Sequence, residues 1–360
     1  MAQAILAQAV RCRRRGEPHA AQDPAAREAM GGAKDRALRA LVAVALGWAA
    51  TVGSGVREEV LSRQLRRPDE YPACSDLLAA AGIGLGLTVA QLLFRPVFSL
   101  VAQAMIVKKE RWSHAMYGAR VLRCCDAVFK FFYYAAMATW GASLLKDQPW
   151  APWVLGGRGE TRFCWTGGFP FQEVPEDLRR FYLTAVGYSF SEIAMLLLDR
   201  RLPDFWEMLL HHTISCYLVT FSYLLNYVRV GSLVIVLHGT TDVLIYASKA
   251  IVDTNWNHLI AVSYFGLITA FVWLRIYVFP VYLMRSAWVE SIAEAGPGGV
   301  YGWGFLNFAL CVLFLLHMYW LGLIVKSGLM FKRTGQARDL QSNLSSMDIK
   351  MEDSSLKKAM

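Results

Sequence analysis

His211 and His212 stand side by side in one apolar stretch, and His238 stands four residues before Asp242 in the next. Imidazole and carboxylate are the groups that move protons near neutral pH, and an i,i+4 spacing puts His238 and Asp242 on one helix face. A carboxylate so placed can hold the imidazole in one tautomer and raise its basicity. Each such group costs roughly 2.5–3.5 kcal/mol or more at a bilayer centre, so a cluster of them points inward, to a protein interior or a wet cavity. At about 100° per residue, a helix continued from 207 to 229 brings His211, Ser215, Ser222, Asn226 and Arg229 within a sector of roughly 60°. His212 is turned away by about 100° and borders the same cavity. On the following helix Gly231 and Lys249 fall within about 40° of His238 and Asp242. The link between these two helices is a few residues long, so they are antiparallel neighbours whose polar stripes face each other.

The remaining polar residues narrow the chemistry. Desaturase-type di-iron sites need repeated H-x-x-x-H and H-x-x-H-H boxes, and intramembrane zinc hydrolysis needs H-E-x-x-H or a similar set. The seven histidines form neither, so the reading is metal-free acid–base or nucleophilic catalysis by histidine, with no metal ligands and no cofactor. His258 and His317 read as packing histidines, and Arg275, before Tyr277 and Pro280, as a helix-end arginine that snorkels. Asp126, Lys130 and Glu192 fit internal ion pairs and cavity lining equally well.

These helices belong to an all-α integral membrane protein. Hydrophobic residues make up 55% of the chain, aromatics 13% and charged residues 18%, with a mean hydropathy of +0.33. Seven segments near the roughly 20 residues that a bilayer demands lie at about 77–103, 124–145, 179–198, 207–227, 230–250, 257–283 and 303–326. An eighth, weaker candidate lies at about 38–56. Lys108, Lys109, Arg111, Arg120 and Arg123, then Arg200 and Arg201, then Lys326, Lys332 and Arg333 fall on one side, which the positive-inside rule makes cytosolic. The net charge of +9 is thereby topological and gives no reason to expect nucleic-acid binding. Residues 1–35 and 331–360 read as disordered tails, 36–75 as a weak helix and polar link, and 76–330 as the membrane domain. No secretory signal peptide is recognisable at the start. Cys74 and Cys164 share the lumenal side, where a disulfide is an option, and Cys124-Cys125 reads as packing or a palmitoylation site.

At these residues the chain resembles the ceramide synthase (longevity-assurance) branch of the TLC-domain membrane proteins. That family's signature runs H-H-x-x-T, then S-Y-x-x-N-x-x-R-x-G, then L-x-x-x-L-H-D-x-x-D. Here it reads His211-His212-Thr213-Ile214-Ser215, then Ser222-Tyr223 to Asn226, Arg229 and Gly231, then Leu237-His238-Gly239-Thr240-Thr241-Asp242. The stretch Cys124 to Tyr134, the Gln148-Pro149-Trp150 turn, Asp204-Phe205, Trp273 to Tyr277 and Leu316-His317-Met318-Tyr319-Trp320 also resemble family segments. The likeness covers about 70–330. Ser215 replaces a threonine, Gly239 stands where the family has an aspartate, and Tyr246 replaces a glutamate.

The resemblance implies six helices in a TLC-type bundle over about 115–330, around a polar cavity in the membrane of the endoplasmic reticulum, with a cytosolic C-terminus. It implies N-acylation of a sphingoid base by a fatty acyl-CoA. His211, His212, His238 and Asp242 are then the catalytic set, and Ser215, Ser222, Asn226, Arg229, Lys249 and Tyr246 the substrate-binding set. Lys108, Lys109, Arg200 and Arg201 are candidates for the CoA phosphates. The partners are acyl-CoA, the sphingoid base, the bilayer and, as a further option, a second subunit in a homo- or heterodimer. The two lost carboxylates at Gly239 and Tyr246 leave a second reading open, a non-catalytic lipid-handling or translocon-associated TLC-domain protein.

Overall fold

The computed structural model describes residues 24–66, 71–108, 112–199, 204–296 and 298–334. Among them regular structure is helical: α1 (Pro24–Arg66), α2 (Asp76–Met105), α3 (His114–Leu145), α4 (Glu176–Leu198), α5 (Phe205–Leu224), α6 (Val228–Ile251), α7 (Asn257–Ala295) and α8 (Trp303–Thr334). The chain is an all-α membrane protein. Leu78, Leu85, Val97 and Leu100 on α2 are among many large apolar side chains left exposed on outer helix faces, as a lipid solvent allows.

All seven expected spans are helical, though not all are equally apolar. Among the described residues six helices are long and apolar enough to cross a bilayer: α1 over Asp35–Arg66, α2, α4, α6, α7 and α8 over Trp303–Lys332. The weak 38–56 candidate therefore lies inside one of the six. The expected spans at 124–145 and 207–227 form helices of 32 and 20 residues that fall outside this set. The reason is compositional: Arg120, Arg123, Asp126 and Lys130 sit on α3, and Glu207, His211 and His212 on α5. Both helices point these groups into protein. Helix α1 also begins at Pro24, inside the stretch 1–35 expected to be a tail. The tail beyond 334 lies outside the described residues.

Helix α3 packs antiparallel along α6, α2 runs parallel to α4 and α1 parallel to α5, while α8 closes against α5 and α7. The α2–α4 contact needs glycine, since a Cβ on Gly84 would lie 2.6 Å from the Gly187 carbonyl oxygen. Two ends result. At one end, the segment 146–175 folds back on the bundle through two 3-10 turns, Trp153–Leu155 and Thr161–Cys164, and Trp165 donates from Nε1 to Ser286 Oγ at 2.9 Å. At the other, basic end, Arg95 bridges Asp126 at 2.8 Å and Asp199 at 2.6 Å, and Arg120 pairs with Asp253 at 2.6 Å. These bridges tie α2, α3, α4 and the α6–α7 turn together where the basic clusters gather.

Candidate active site

Between α3, α4, α5, α6, α7 and α8 lies a cavity of about 290 Å³ that runs from the middle of the bundle toward the basic end. His211, His212 and Ser215 enter it from α5, and His238, Gly239, Asp242, Tyr246 and Lys249 from α6. The i,i+4 pairs His211–Ser215 and His238–Asp242 thus line one interior. Tyr133 and Tyr134 from α3, Tyr188 and Glu192 from α4, Arg275 from α7 and Trp320 from α8 complete the polar and aromatic part. The arm toward the basic end is lined largely by apolar side chains, among them Val252, Ile260, Leu267, Leu323, Ile324 and Phe331.

The hydrogen bonds differ from the expected His238–Asp242 dyad. Asp242 Oδ1 accepts from the Arg275 guanidinium at 2.5 Å, and the same Nη2 reaches the His238 carbonyl at 3.2 Å. His238 donates from Nδ1 to its own helix at the Val234 carbonyl, 2.7 Å away. A carbonyl only accepts, so the Nδ1–H is fixed and Nε2 is the basic nitrogen of the neutral ring. That Nε2 lies 3.1 Å from Nε2 of His317, which is buried on α8. Arg275 is itself buried, with a side chain only 3% exposed, so it does not snorkel. It sits in the π-helical stretch Phe271–Met284 of α7, and such wide turns recur at functional sites.

His211 and His212 are adjacent rings, centroids 5.2 Å apart, with different neighbours. His211 stands edge-on to Trp320, and its Nδ1 lies 3.5 Å from Ser215 Oγ. His212 Nε2 lies 3.7 Å from Glu192 Oε2, and Glu192 is ion-paired with Lys130. Tyr246 stacks on Tyr134, its ring face near both Lys130 and Lys249. Several polar atoms of the cavity wall, Tyr188 Oη, Glu192 Oε1 and Ser248 Oγ, have no hydrogen-bond partner among the described residues. Buried polar atoms are rarely left so, and their convergence on one cavity marks it as a place for a polar ligand group. Among the described residues no three His, Cys, Asp or Glu side chains are grouped to hold a metal ion.

Ser222, Asn226 and Arg229 do not line the cavity. Helix α5 ends at Leu224, and Asn226 turns the chain with φ of 59°, a left-handed conformation that asparagine tolerates. Its Nδ2 donates to the carbonyls of Pro170 at 2.6 Å and Gln172 at 3.0 Å. Arg229 donates to the Phe163 carbonyl at 3.2 Å, and Ser222 bonds Tyr182 at 2.5 Å. Tyr223 donates to Asp76 at 2.6 Å. Gly231 is needed because a Cβ there would fall 2.0 Å from the Tyr182 hydroxyl. The S-Y-x-x-N-x-x-R-x-G motif is thus a clamp that fastens the 146–175 segment and the α5–α6 turn to the bundle.

Lys108 lies at the basic end beside Tyr117, away from the cavity lining, and Lys109, Arg200 and Arg201 lie outside the described residues. Cys74 and Cys164 are both free, which overturns the disulfide option, and burial pushes the Cys164 thiol well above its usual range. Arg275, His317 and the Tyr133-Tyr134-Tyr188 group were not assigned to the site by sequence reasoning, whereas Glu192, left open between an ion pair and cavity lining, is both. Arg275 and Glu192 carried a usable signal, since an ionisable residue deep in an apolar span needs a protein partner.

A family model described as the TLC domain matches residues 123–326, more than half of the chain, and the chain belongs to that family. It is similar to ceramide synthase 4 of Bos taurus, 30% identical over 225 residues covering 62% of this chain and 55% of the relative. Ceramide synthase hyl-1 of Caenorhabditis elegans is 26% identical over 246 residues, 64% of this chain and 65% of the relative. Ceramide synthase 5 of Mus musculus is 31% identical over 203 residues, 56% of this chain and 47% of the relative. The chain thus spans between about half and two thirds of the length of these relatives.

Proposed function

We propose that this protein is a sphingoid base N-acyltransferase of the membrane of the endoplasmic reticulum, with its basic end in the cytosol. It transfers a fatty acyl group from acyl-CoA to a sphinganine-type amine and needs no cofactor beyond that thioester. The observation that carries the reading is one cavity that joins three histidines inside the helix bundle to an apolar arm toward the basic end. Both substrates are amphiphiles, and such a cavity takes their chains while CoA stays outside, near Lys108 and the other basic residues. The names of the similar relatives support the same class.

In direct transfer the amine nitrogen attacks the thioester carbon, the C–S bond breaks and CoA leaves as thiol. A histidine nitrogen accepts the proton that the amine must lose, and imidazole suits this with a reference pKa of about 6.5. The Nε2 of His238, whose Nδ1–H is fixed on the Val234 carbonyl, is one such base. His211 and His212 are the other candidates, as base or as carbonyl-polarising donor. In the nucleophilic variant a histidine nitrogen first displaces CoA to form an acyl-imidazole, which the amine then resolves. Asp242 enters neither as the direct partner of His238; it holds Arg275, whose guanidinium faces the same cavity.

The test is N-acylation of sphinganine by purified protein with a panel of acyl-CoAs, alongside His211→Ala and His238→Ala. Wild-type product, with both folded variants reduced by on the order of 10²-fold or more, is the expected result. A stable wild type silent across the panel, yet binding sphingolipid, would replace the enzyme by the lipid-handling reading that Gly239 and Tyr246 favour.

A further inference from the structure

We propose that Glu192 is a positioning residue for His212, supplying from α4 a carboxylate that α6 lacks at Gly239 and Tyr246. The inference rests on the N-acyltransferase reading. Its starting point is an apparent loss of charge. Two positions of the cavity wall that carry acids in the resembled signature here carry a glycine and a tyrosine. Packing does not force the first of these, since a Cβ on Gly239 would meet only Tyr134 Cδ1, at 3.8 Å.

Glu192 brings a carboxylate to the same cavity from α4. Its side chain is 3% exposed, its Oε2 is ion-paired with Lys130 and lies 3.7 Å from His212 Nε2, and its Oε1 has no hydrogen-bond partner among the described residues. Tyr246 fits the exchange. Its ring lies 5.5 Å from Lys130 Nζ, so a glutamate at that position would compete with Glu192 for the same ammonium. A carboxylate at the Nε2 side of His212 favours the Nε2–H tautomer and leaves Nδ1 with the free lone pair.

A purely structural Lys130–Glu192 bridge between α3 and α4 is the competing account. Buried ion pairs are often replaceable by apolar pairs without loss of stability, so a bridge alone gives no reason to keep the carboxylate turned to a histidine.

Two double variants separate the accounts in the sphinganine assay. Lys130→Glu with Glu192→Lys keeps an ion pair but sets an ammonium beside His212. Lys130→Met with Glu192→Leu keeps the packing and removes both charges. We expect melting temperatures near wild type, KM values for both substrates within about threefold, and kcat lower by on the order of tenfold to a hundredfold, part of the 10²–10⁴ that a positioned acid or base contributes. Either folded variant turning over at the wild-type rate would overturn the proposal and leave the acyltransferase reading intact. A wild type without product fails both together.

Discussion

The Arg275–Asp242 pair allows the sharpest prediction about what holds the site. Its partners come from α7 and α6, 2.5 Å apart, with side chains 3% and 16% exposed. Desolvating two such ions costs several kcal/mol each, and their attraction roughly repays that only while both are present. Removing one partner strands the other, at a cost of about 3–5 kcal/mol. The two single variants are not equivalent. Asp242→Asn strands the more deeply buried guanidinium, whose Nε already has no partner among the described residues. Arg275→Met strands a carboxylate that faces the cavity, where water can reach it. Asp242→Asn is therefore expected to be the costlier, near the top of that range, and Arg275→Met near its foot, including about 1 kcal/mol for the lost bond to the His238 carbonyl. The pair Arg275→Met with Asp242→Leu should return to within about 1 kcal/mol of wild type. Reversible unfolding in mixed micelles of Asp242→Leu, Arg275→Met and the two combined closes a double-mutant cycle, with a coupling expected at about 3 kcal/mol or more. A coupling near zero would refute the argument and return Arg275 to the role of a snorkelling helix-end residue. The double variant also separates structure from chemistry: normal stability with normal turnover would remove Asp242 from the catalytic set.

Asn226→Gly keeps the left-handed turn but removes two donors to buried carbonyls, so stability should fall by about 1–3 kcal/mol while kcat in the folded fraction stays within twofold; a selective loss of kcat would put Asn226 back at the substrate. Gly231→Ala forces the Tyr182 ring aside and should cost at least about 1–3 kcal/mol in the same unfolding assay; wild-type stability would show that the close approach is not tight. Burial pushes the Tyr71 hydroxyl up to about 12, so its contribution is full below pH 10, the unfolded value, and is lost as pH rises from 10 through 12. Tyr71→Phe should flatten that alkaline decline by roughly 2 kcal/mol, read from unfolding at pH 9 and pH 11.5, and parallel curves would refute the shift. Cys164, buried and with its thiol pushed up, should resist iodoacetamide at pH 8.5 until the protein unfolds, whereas prompt labelling would mean that the 146–175 segment opens.

The sequence reading succeeded for residues one turn apart and failed farther along: Ser222, still on α5, turns to Tyr182 away from the cavity. His211 with Ser215, and His238 with Asp242, lie within single helices, and a rotation of 100° per residue put each pair on one cavity wall. The same rule carried past Leu224 placed Asn226 and Arg229 on the His211 stripe, but α5 has ended there and Asn226 reverses the chain. Nothing in the pattern of apolar residues announces a left-handed turn at an asparagine between two membrane helices. Two of the expected spans, though helical, are not apolar enough to count among the six. Helices α3 and α5 carry the charges and histidines of the site, so the more a helix contributes to the interior, the less its composition resembles that of a span. The partners of Asp242 and His238 were illegible because they come from α7 and α8, and sequence spacing carries no information across separate helices. Charge economy was the available signal: Arg275, Glu192 and Lys130 each sit in or beside an apolar segment and must be neutralised by something. Pairing them by that demand yields few solutions, and the structure realises two, Arg275 with Asp242 and Lys130 with Glu192. Both pairs stand at the cavity wall or in contact with it, so the cost of burying charge is met where the histidines need a fixed field.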